Sequence, residues 1–145
     1  FRFHNVYGPF GTWVGGREKA PAALCRKVIE AVDTGNHEIE IWGDGEQTRS
    51  FMYIDDCVSA LVSLMDCDKD LPLVINIGSE NNVSIKELAF TIANIFEIVP
   101  TFEYSLRLSG DPDWRLPDCT LMEELTGWTW TTSLVDGLRL TIGDY

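Results

Sequence analysis

The chain has 145 residues, of which 45% are hydrophobic and 23% are charged, so it is long enough for one ordinary hydrophobic core. Its formal net charge of -12 repels nucleic-acid backbones and acidic membrane surfaces, and we expect neither as a partner. Apolar runs stay short of the roughly 18 residues that a membrane-spanning helix needs, so we expect a cytoplasmic protein. The cysteines lack Cys-x-x-Cys spacing, which predicts no metal site and no disulfide framework, and Cys25 is expected to pack in the core.

The first predicted elements are a strand and a helix, joined by a long loop. Residues 1–7 read as a strand that ends at Gly8-Pro9, because Gly8 permits a turn and Pro9 has no N–H to donate. This strand starts without a Met or a preceding turn, so we expect the chain to be the C-terminal piece of a longer protein. The helix has Pro21 in its first turn, where a missing N–H costs nothing, and it ends near Gly35.

Two further strands and a second helix are predicted next. Residues 38–41 alternate polar and apolar side chains, as a half-buried strand does, and the turn at residues 43–45 leads to a strand over residues 49–54. Asp55 is predicted to cap the helix that follows. The apolar side chains at helical spacing, which should pack on one side of this helix, are Val58, Leu61, Val62 and Met65.

The centre of the chain predicts a buried strand followed by a well-marked helix. Residues 73–77 are almost all apolar, which is typical of a strand buried on both faces of a parallel sheet. Ser84 and Glu87 have the spacing of a capping box at the start of the helix. The expected buried stripe of this helix consists of Ile85, Leu88, Ala89, Ile92 and Phe96.

The last part of the chain predicts a strand over residues 101–106 and a loop over residues 109–117. Asp118 should cap a short helix that stops at Gly127, and Ser133 should begin the final helix. The alternation of strands and helices along the chain predicts an α/β fold.

Such a fold commonly binds a dinucleotide, and one glycine-bearing segment invites that interpretation. Gly8, Gly11 and Gly15 are spaced like a phosphate loop, but Pro9 follows the first glycine and the next helix begins well after the last one. No helix N-terminus is then placed to receive a pyrophosphate. We therefore predict a flexible ligand loop.

Two motifs carry a family resemblance. Residues 2–9 read Arg-Phe-His-Asn-Val-Tyr-Gly-Pro, and residues 42–51 read Trp-Gly-Asp-Gly-Glu-Gln-Thr-Arg-Ser-Phe. Both join a strand to a polar, glycine-bearing loop, where open α/β sheets place ligand contacts. With the segment 15–23, they resemble the extended short-chain dehydrogenase/reductase family of NAD-dependent nucleotide-sugar epimerases and dehydratases, and within it the GDP-sugar epimerases. The resemblance implies a Rossmann-like fold, of which residues 1–145 are the C-terminal portion with the small substrate-binding α/β domain.

The resemblance implies NAD as the cofactor, held mainly by an N-terminal portion outside this chain. The family's chemistry uses a Tyr-x-x-x-Lys pair, in which the lysine lets the phenol act as a base, and no tyrosine here has a lysine four residues on. Of the residues present, His4 is a weak cofactor-binding candidate, and a structural role is the alternative. The complete enzyme would be a homodimer that acts on a GDP-sugar.

The family's sugar contacts correspond to residues near the start of the chain and before the first helix. Asn5 matches a residue that contacts the sugar nucleotide, and an Asx-type turn is the alternative. Glu18, Lys19 and Ala20 match a segment that lines the sugar, with Lys19 as the catalytic acid/base. A partly desolvated lysine can move protons near neutral pH, which suits this role.

Two basic residues are expected near the pyrophosphate. Lys27 lies two turns from Lys19, about 12 Å at the helical rise, and a salt bridge to Glu30 or plain solvation is the alternative. Arg115 matches an arginine that meets the diphosphate in the family. A second arginine expected just upstream is replaced by Asp113, which makes the loop more acidic than a diphosphate site favours.

Gln47, Thr48 and Arg49 match the family's nucleotide contacts. A guanidinium beside a glycine turn suits a diphosphate or the edge of guanine. Arg49 could equally pair with Asp55 or Asp56.

Three functions stay open at this point. The Glu-Lys pair at residues 18–19 favours an epimerase of GDP-sugars. The first alternative is another epimerase, dehydratase or decarboxylase of the extended family. The second is a truncated, catalytically silent relative that serves as a structural or interaction subunit, with a partner protein covering its open strand edges.

Overall fold

The computed structural model describes residues 1–107 and 109–143. The helices are α1 (Ala20–Thr34), α2 (Ile54–Met65), α3 (Ile85–Ile95), α4 (Thr120–Thr126) and α5 (Leu134–Ile142). The strands of the first half are β1 (Arg2–Phe3), β2 (Val6–Tyr7), β3 (Glu38–Trp42), β4 (Thr48–Ser50) and β5 (Met52–Tyr53). Those of the second half are β6 (Asn76–Ile77), β7 (Asn82–Ser84), β8 (Thr101–Ser105) and β9 (Trp114–Arg115).

The strands pair mostly in parallel. β1 pairs with β6, β2 with β5 and β3 with β8, each in parallel register. β4 lies between β7, which is antiparallel to it, and β9, which is parallel. Parallel neighbours need crossover connections, and helices provide them along this chain. The predicted α/β class is therefore confirmed.

The strand predicted over residues 1–7 is interrupted at Asn5, which adopts a φ of 46°. The backbone changes direction there, so β1 and β2 join different partners. The side chain of Asn5 donates from Nδ2 to the Ser50 carbonyl over 2.9 Å and so replaces a ladder hydrogen bond. The strand predicted over residues 49–54 is likewise divided by Phe51 into β4 and β5.

The prediction for α2 is wrong in its cap and in its buried face. Tyr53, not Asp55, is the N-cap residue. The buried positions are Asp56, Cys57, Ala60 and Leu64, whereas the predicted stripe is largely exposed, with Met65 at 83%. The reason is the carboxylate of Asp56, which accepts hydrogen bonds from the backbone N–H groups of Thr131 (3.3 Å) and Thr132 (3.0 Å). These bonds require that Asp56 face the protein, and they set the rotation of the helix.

The strand predicted over residues 73–77 is shortened to β6, and Leu73 is 99% exposed. Its partner β1 is two residues long, and the pairing extends only as far as the carbonyl of Ile75, which accepts from the N–H of Arg2, so residues 73–74 have no described strand beside them. β9 forms within the predicted loop at residues 109–117 because it pairs with β4. Cys119, not Asp118, is the N-cap residue of α4, although Asp118 accepts a hydrogen bond from the N–H of Thr120.

The other helix signals are confirmed. Pro21 lies in the first turn of α1, and Gly35 ends the helix at a φ of 68°. Ser84 and Glu87 form both bonds of the capping box of α3. The side chain of Ser133 caps α5 by accepting from the N–H of Asp136, which lies in the first helical turn.

The core has two parts. The larger cluster joins α1, β3, α3 and α5, with Cys25, Val28, Ile39, Leu88 and Leu138 among its buried members. The smaller one joins α2, β6 and α4. Cys25 is fully buried, as expected, and burial raises the pKa of its thiol to about 12. The described helices include none with the length and apolar character needed to cross a membrane.

Candidate functional site

The loop that precedes α1 is fastened to the helix by Arg26. Its guanidinium donates from Nε to the carbonyl of Trp13 (3.1 Å) and from Nη2 to Oε1 of Glu18 (3.3 Å). Nη1 meets Glu30, one turn further along α1, at 3.1 Å. The sequence predicted no role for Arg26. The role of Arg26 in holding the loop could not be inferred from the sequence, because its partners lie in an irregular loop up to 13 residues away.

Glu18 is the one acidic residue of this loop, and 11% of its side chain is exposed. Hydrogen bonds from its own backbone N–H and from Arg26 lower the pKa of its carboxyl, against the opposing effect of burial. Its second oxygen, Oε2, is buried and has no hydrogen-bond partner among the described residues. A carboxylate oxygen of this kind can accept a hydrogen bond from a hydroxyl group of a ligand.

Lys19 follows Glu18 and is exposed at the N-cap position of α1, where its carbonyl accepts from the N–H of Ala23. Its ammonium contacts no partner within residues 1–107 and 109–143. Ala20 begins the helix and is half-buried. The segment therefore presents a buried carboxylate and an exposed amine on consecutive residues.

Lys27 is paired, but not with Glu30. Its Nζ donates to the carbonyl of Glu40 (3.0 Å) and to Oε2 of the same residue (2.9 Å), and it lies 5.9 Å from the ring centroid of Trp42. The hydrogen bond from Lys27 lowers the pKa of the Glu40 carboxyl. Lys27 therefore forms a salt bridge with Glu40 and not with Glu30, the partner considered from the sequence. The reason is that β3 lies beside α1, while Glu30 is engaged by Arg26.

The residues that match nucleotide contacts follow the glycine turn after β3. Gln47 is buried, donates from Nε2 to the carbonyl of Trp42 over 2.8 Å, and leaves Oε1 without a described partner. Oγ1 of Thr48 accepts from Nδ2 of Asn82 at 2.9 Å. Gln47 therefore has an acceptor atom for which the fold itself provides no donor.

Arg49 is 8% exposed and binds the loop before β9. Nη2 donates to Oδ1 of Asp111 (2.6 Å) and to the carbonyl of Pro112 (2.7 Å), while Nη1 donates to the carbonyl of Thr48 (2.6 Å). The expected alternative, a pair with Asp55 or Asp56, is wrong. Asp56 is instead occupied by the segment before α5.

A second guanidinium, Arg107, reaches the same loop and was not predicted. Nη1 donates to Oδ1 of Asp113 and Nη2 to the carbonyl of Asp111, each over 2.7 Å. Asp113, at the position where the family resemblance implies an arginine, is thus paired with Arg107. Arg115 is exposed on β9, where its Cα is the ladder partner of Arg49.

Several of the predicted site residues lie on or beside β3 and β4. Asn5 binds Ser50 at the end of β4, and Arg49 in that strand pairs with Arg115. Lys27 and Gln47 both approach Trp42, the last residue of β3, Lys27 at its ring and Gln47 at its carbonyl. His4 lies apart, with Nε2 3.4 Å from Oδ1 of Asn76. No described contact joins Lys19 to this group.

The glycine loop of residues 8–16 does not fit the pyrophosphate of a dinucleotide. The glycine loop is followed by the irregular segment 17–19 before α1 begins at Ala20, so no backbone N–H groups of a helix N-terminus follow the glycines directly. Across residues 1–107 and 109–143, no group of three or more His, Cys, Asp or Glu side chains is placed to hold a metal ion.

Parallel strands that end in polar, glycine-bearing turns define an α/β protein of the kind that binds ligands beyond its strand ends. Residues 1–78 match the model of the NAD dependent epimerase/dehydratase family, and the chain belongs to this family. It is 47% identical over 146 residues to GDP-mannose 3,5-epimerase 1 of Oryza sativa subsp. japonica, and 45% identical over 140 residues to GDP-mannose 3,5-epimerase of Arabidopsis thaliana. Each alignment covers 97% of this chain and 35% of the relative.

Other branches of the family are similar as well. UDP-glucuronic acid decarboxylase 1 of Arabidopsis thaliana is 32% identical over 144 residues, covering 99% of this chain and 31% of the relative. Among solved structures, UDP-glucuronic acid 4-epimerase of Bacillus cereus, in complex with UDP-glucuronic acid and NAD, aligns with a TM-score of 0.85 and 29% identity, covering 99% of this chain and 43% of that one. The resemblance and the Rossmann-like fold class inferred from the sequence are confirmed.

Proposed function

We propose that residues 1–145 form the substrate-binding portion of a nucleotide-sugar epimerase like the GDP-mannose 3,5-epimerases, with a GDP-sugar as ligand. The observation that carries the proposal is the pair at the start of α1, where Glu18 is buried with a free carboxylate oxygen and Lys19 is exposed with a free ammonium. The greater identity to the two GDP-mannose 3,5-epimerases than to the decarboxylase supports the same assignment.

Lys19 is the proposed acid/base. Inversion at carbons 3 and 5 of a hexose requires a proton to leave and return on the other face, which is feasible when the carbon between them is a carbonyl. An amine can take or supply such a proton on one face when it is partly desolvated, so this role requires that the ligand and the rest of the enzyme cover Lys19, which is exposed in this chain. A second proton carrier, outside this chain, would serve the opposite face. Glu18 is proposed to accept a sugar hydroxyl at Oε2, and Arg26 fixes its position through Oε1. The NAD that the family uses would be held outside this chain.

The remaining contacts are proposed to hold the sugar, the nucleotide and the diphosphate. They comprise Asn5, Ala20, Lys27, Gln47, Thr48, Arg49 and Arg115. Gln47 offers its unpartnered Oε1 to a donor such as the edge of guanine. Arg115 is exposed and suits an oxygen of the diphosphate, whereas Lys27 and Arg49 would exchange internal partners for the ligand.

Calorimetric titration of the chain with GDP-mannose, UDP-glucose and UDP-glucuronic acid tests this proposal. We expect GDP-mannose to bind most tightly, and Lys19→Ala to weaken it about tenfold, as for the loss of one charged hydrogen bond. Lys69→Ala is the matched control, because Lys69 contacts only the carbonyl of Glu124 among the described residues.

Two results would decide against the proposal. Tighter binding of UDP-glucuronic acid would point instead to the decarboxylase branch, to which the chain is also similar. A folded chain that binds no nucleotide sugar would overturn the substrate-binding role of these residues.

A further inference from the structure

A cluster of two guanidiniums and two carboxylates lies between β4 and the segment that precedes β9. It consists of Arg49, Arg107, Asp111 and Asp113. We propose that Asp111 competes with the diphosphate of the ligand for Arg49, so that this carboxylate sets the affinity of the site for anionic ligands. The inference rests on the proposed function, because it assigns Arg49 to the diphosphate.

The carboxylate of Asp111 lies between the two guanidiniums. Oδ1 accepts from Nη2 of Arg49 at 2.6 Å, and Oδ2 is 3.8 Å from Nε of Arg107. Planar guanidiniums bind the oxygens of phosphate groups and of carboxylates in the same way. Asp111 therefore uses the donors that a phosphate group would use.

The charges in this cluster cancel. Arg49 and Arg107 contribute two positive charges, and Asp111 and Asp113 contribute two negative ones. Arg115, the exposed ladder partner of Arg49, adds one positive charge beside the cluster, but the four groups of the cluster give a diphosphate no net positive charge. Their carboxylates repel it as long as they stay in place. Departure of Asp111 from Arg49 restores a positive charge at the donor that the ligand needs.

Two observations single out Asp111 rather than Asp113. Asp113 is 88% exposed and binds Arg107, whereas Asp111 is more buried and is the carboxylate that meets Arg49. In addition, Nε of Arg107 is buried without a hydrogen bond, because the nearest oxygen of Asp111 is too far away. The cluster thus has a donor that Asp111 leaves unsatisfied and that a ligand oxygen can take.

Titration with GDP, and with guanosine as the probe that lacks phosphate, tests the competition. Asp111→Asn keeps the shape and the oxygen acceptor but removes the charge. We expect it to tighten GDP binding about fivefold and to leave guanosine binding unchanged. Asp33→Asn changes the net charge equally at an exposed site on α1, and it should alter neither affinity.

The possible outcomes separate this inference from the proposed function. If the unaltered chain binds GDP-mannose and Asp111→Asn binds GDP no better, the competition is refuted and Asp111 merely holds Arg49 in place. If neither the unaltered chain nor any variant binds GDP or GDP-mannose, the proposed function is refuted, and the inference that rests on it is refuted as well. Should Asp111→Asn unfold at a lower temperature than the unaltered chain, Asp113→Asn provides a second test. Its exposed side chain can be changed without loss of structure, and a smaller gain in GDP affinity is expected.

Discussion

At the scale of single residues, the arrangement of the candidate site depends on side chains that bind the backbone of loops. Arg26 fastens residues 13–18 to α1, and Arg49 and Arg107 fasten residues 111–113. Carbonyl groups in irregular segments have no ladder partners, so a guanidinium with five donors can satisfy several of them at once. The loops that carry Glu18 and Asp111 are therefore positioned by side chains of α1 and β4, together with Arg107 in the segment after β8.

Substitution of Arg26 by glutamine should release the loop before α1. The exposed pair of Arg26 with Glu30 contributes little, but the bonds to Trp13 and Glu18 hold the loop, so we expect amide exchange in residues 13–18 to accelerate about fivefold. Hydrogen–deuterium exchange read by mass spectrometry measures this change. Arg139→Gln on α5, where Arg139 makes a 3.9 Å surface pair, should leave the same peptides unaffected. Unchanged exchange in the Arg26 variant would show that the loop holds its place without the guanidinium.

Local sequence reveals only part of such an arrangement. Glu18 and Lys19 were identified through resemblance to a family, and nothing in their spacing shows that one is buried and the other exposed. Arg107 was missed because its partners follow it in a loop whose path depends on the pairing of β9 with β4. The partner of Lys27 was likewise misassigned, since Glu40 lies on a strand that reaches α1 only in the folded chain.

At the scale of elements, helices with strong end signals were predicted well and short strands were not. The signals of α3 are local, because the capping box of Ser84 and Glu87 needs four consecutive residues. By contrast, β1, β5 and β6 are two residues long and exist through partners that are distant in the chain. The interruption at Asn5 depends on the bond to Ser50, 45 residues away, which a local pattern does not reveal.

The rotation of α2 can be tested by substitution on its two faces. Val62 and Met65 are exposed in the structure although their spacing suggested a buried stripe, whereas Leu64 is buried. We expect Val62→Gln and Met65→Gln to change the free energy of unfolding by no more than about 0.5 kcal/mol. Leu64→Ala should cost about 2 to 5 kcal/mol.

Urea denaturation followed by circular dichroism measures these differences. Equal costs on the two faces would mean that α2 is rotated from the position that the bonds of Asp56 give it. Removing those bonds with Asp56→Ala should itself be strongly destabilising, since it leaves the N–H groups of Thr131 and Thr132 without their acceptor.

At the scale of the whole molecule, the first and last described segments pack against each other. Tyr7 of β2 donates from its hydroxyl to the carbonyl of Leu134 in α5 over 3.3 Å, and its ring packs edge-on against Tyr53. Burial raises the pKa of the Tyr7 hydroxyl, so it stays protonated and remains a donor. Residues 1–7, which carry the strand-end motif, are thus held by a helix more than 120 residues later.

This contact requires a glycine at position 137. A methyl group there would collide with the hydroxyl of Tyr7 and would approach its ring carbon Cζ to 3.0 Å. We expect Gly137→Ala to lower the free energy of unfolding by about 1 to 3 kcal/mol, the usual cost of overpacking, even though alanine favours helices. Gly143→Ala, just beyond the same helix, meets no atom closer than 3.5 Å and should change stability by less than about 0.5 kcal/mol.

A double-mutant cycle with Tyr7→Phe identifies the cause. Loss of the hydroxyl removes the worst collision, so the double variant should be more stable than the sum of the two single effects predicts, while the remaining approach to the ring keeps the recovery partial. Strict additivity in urea denaturation would mean that Gly137 is needed for some reason other than Tyr7. Because Tyr7 lies two residues after Asn5, a positive coupling would also show that α5 supports the strand end where the proposed ligand contacts begin.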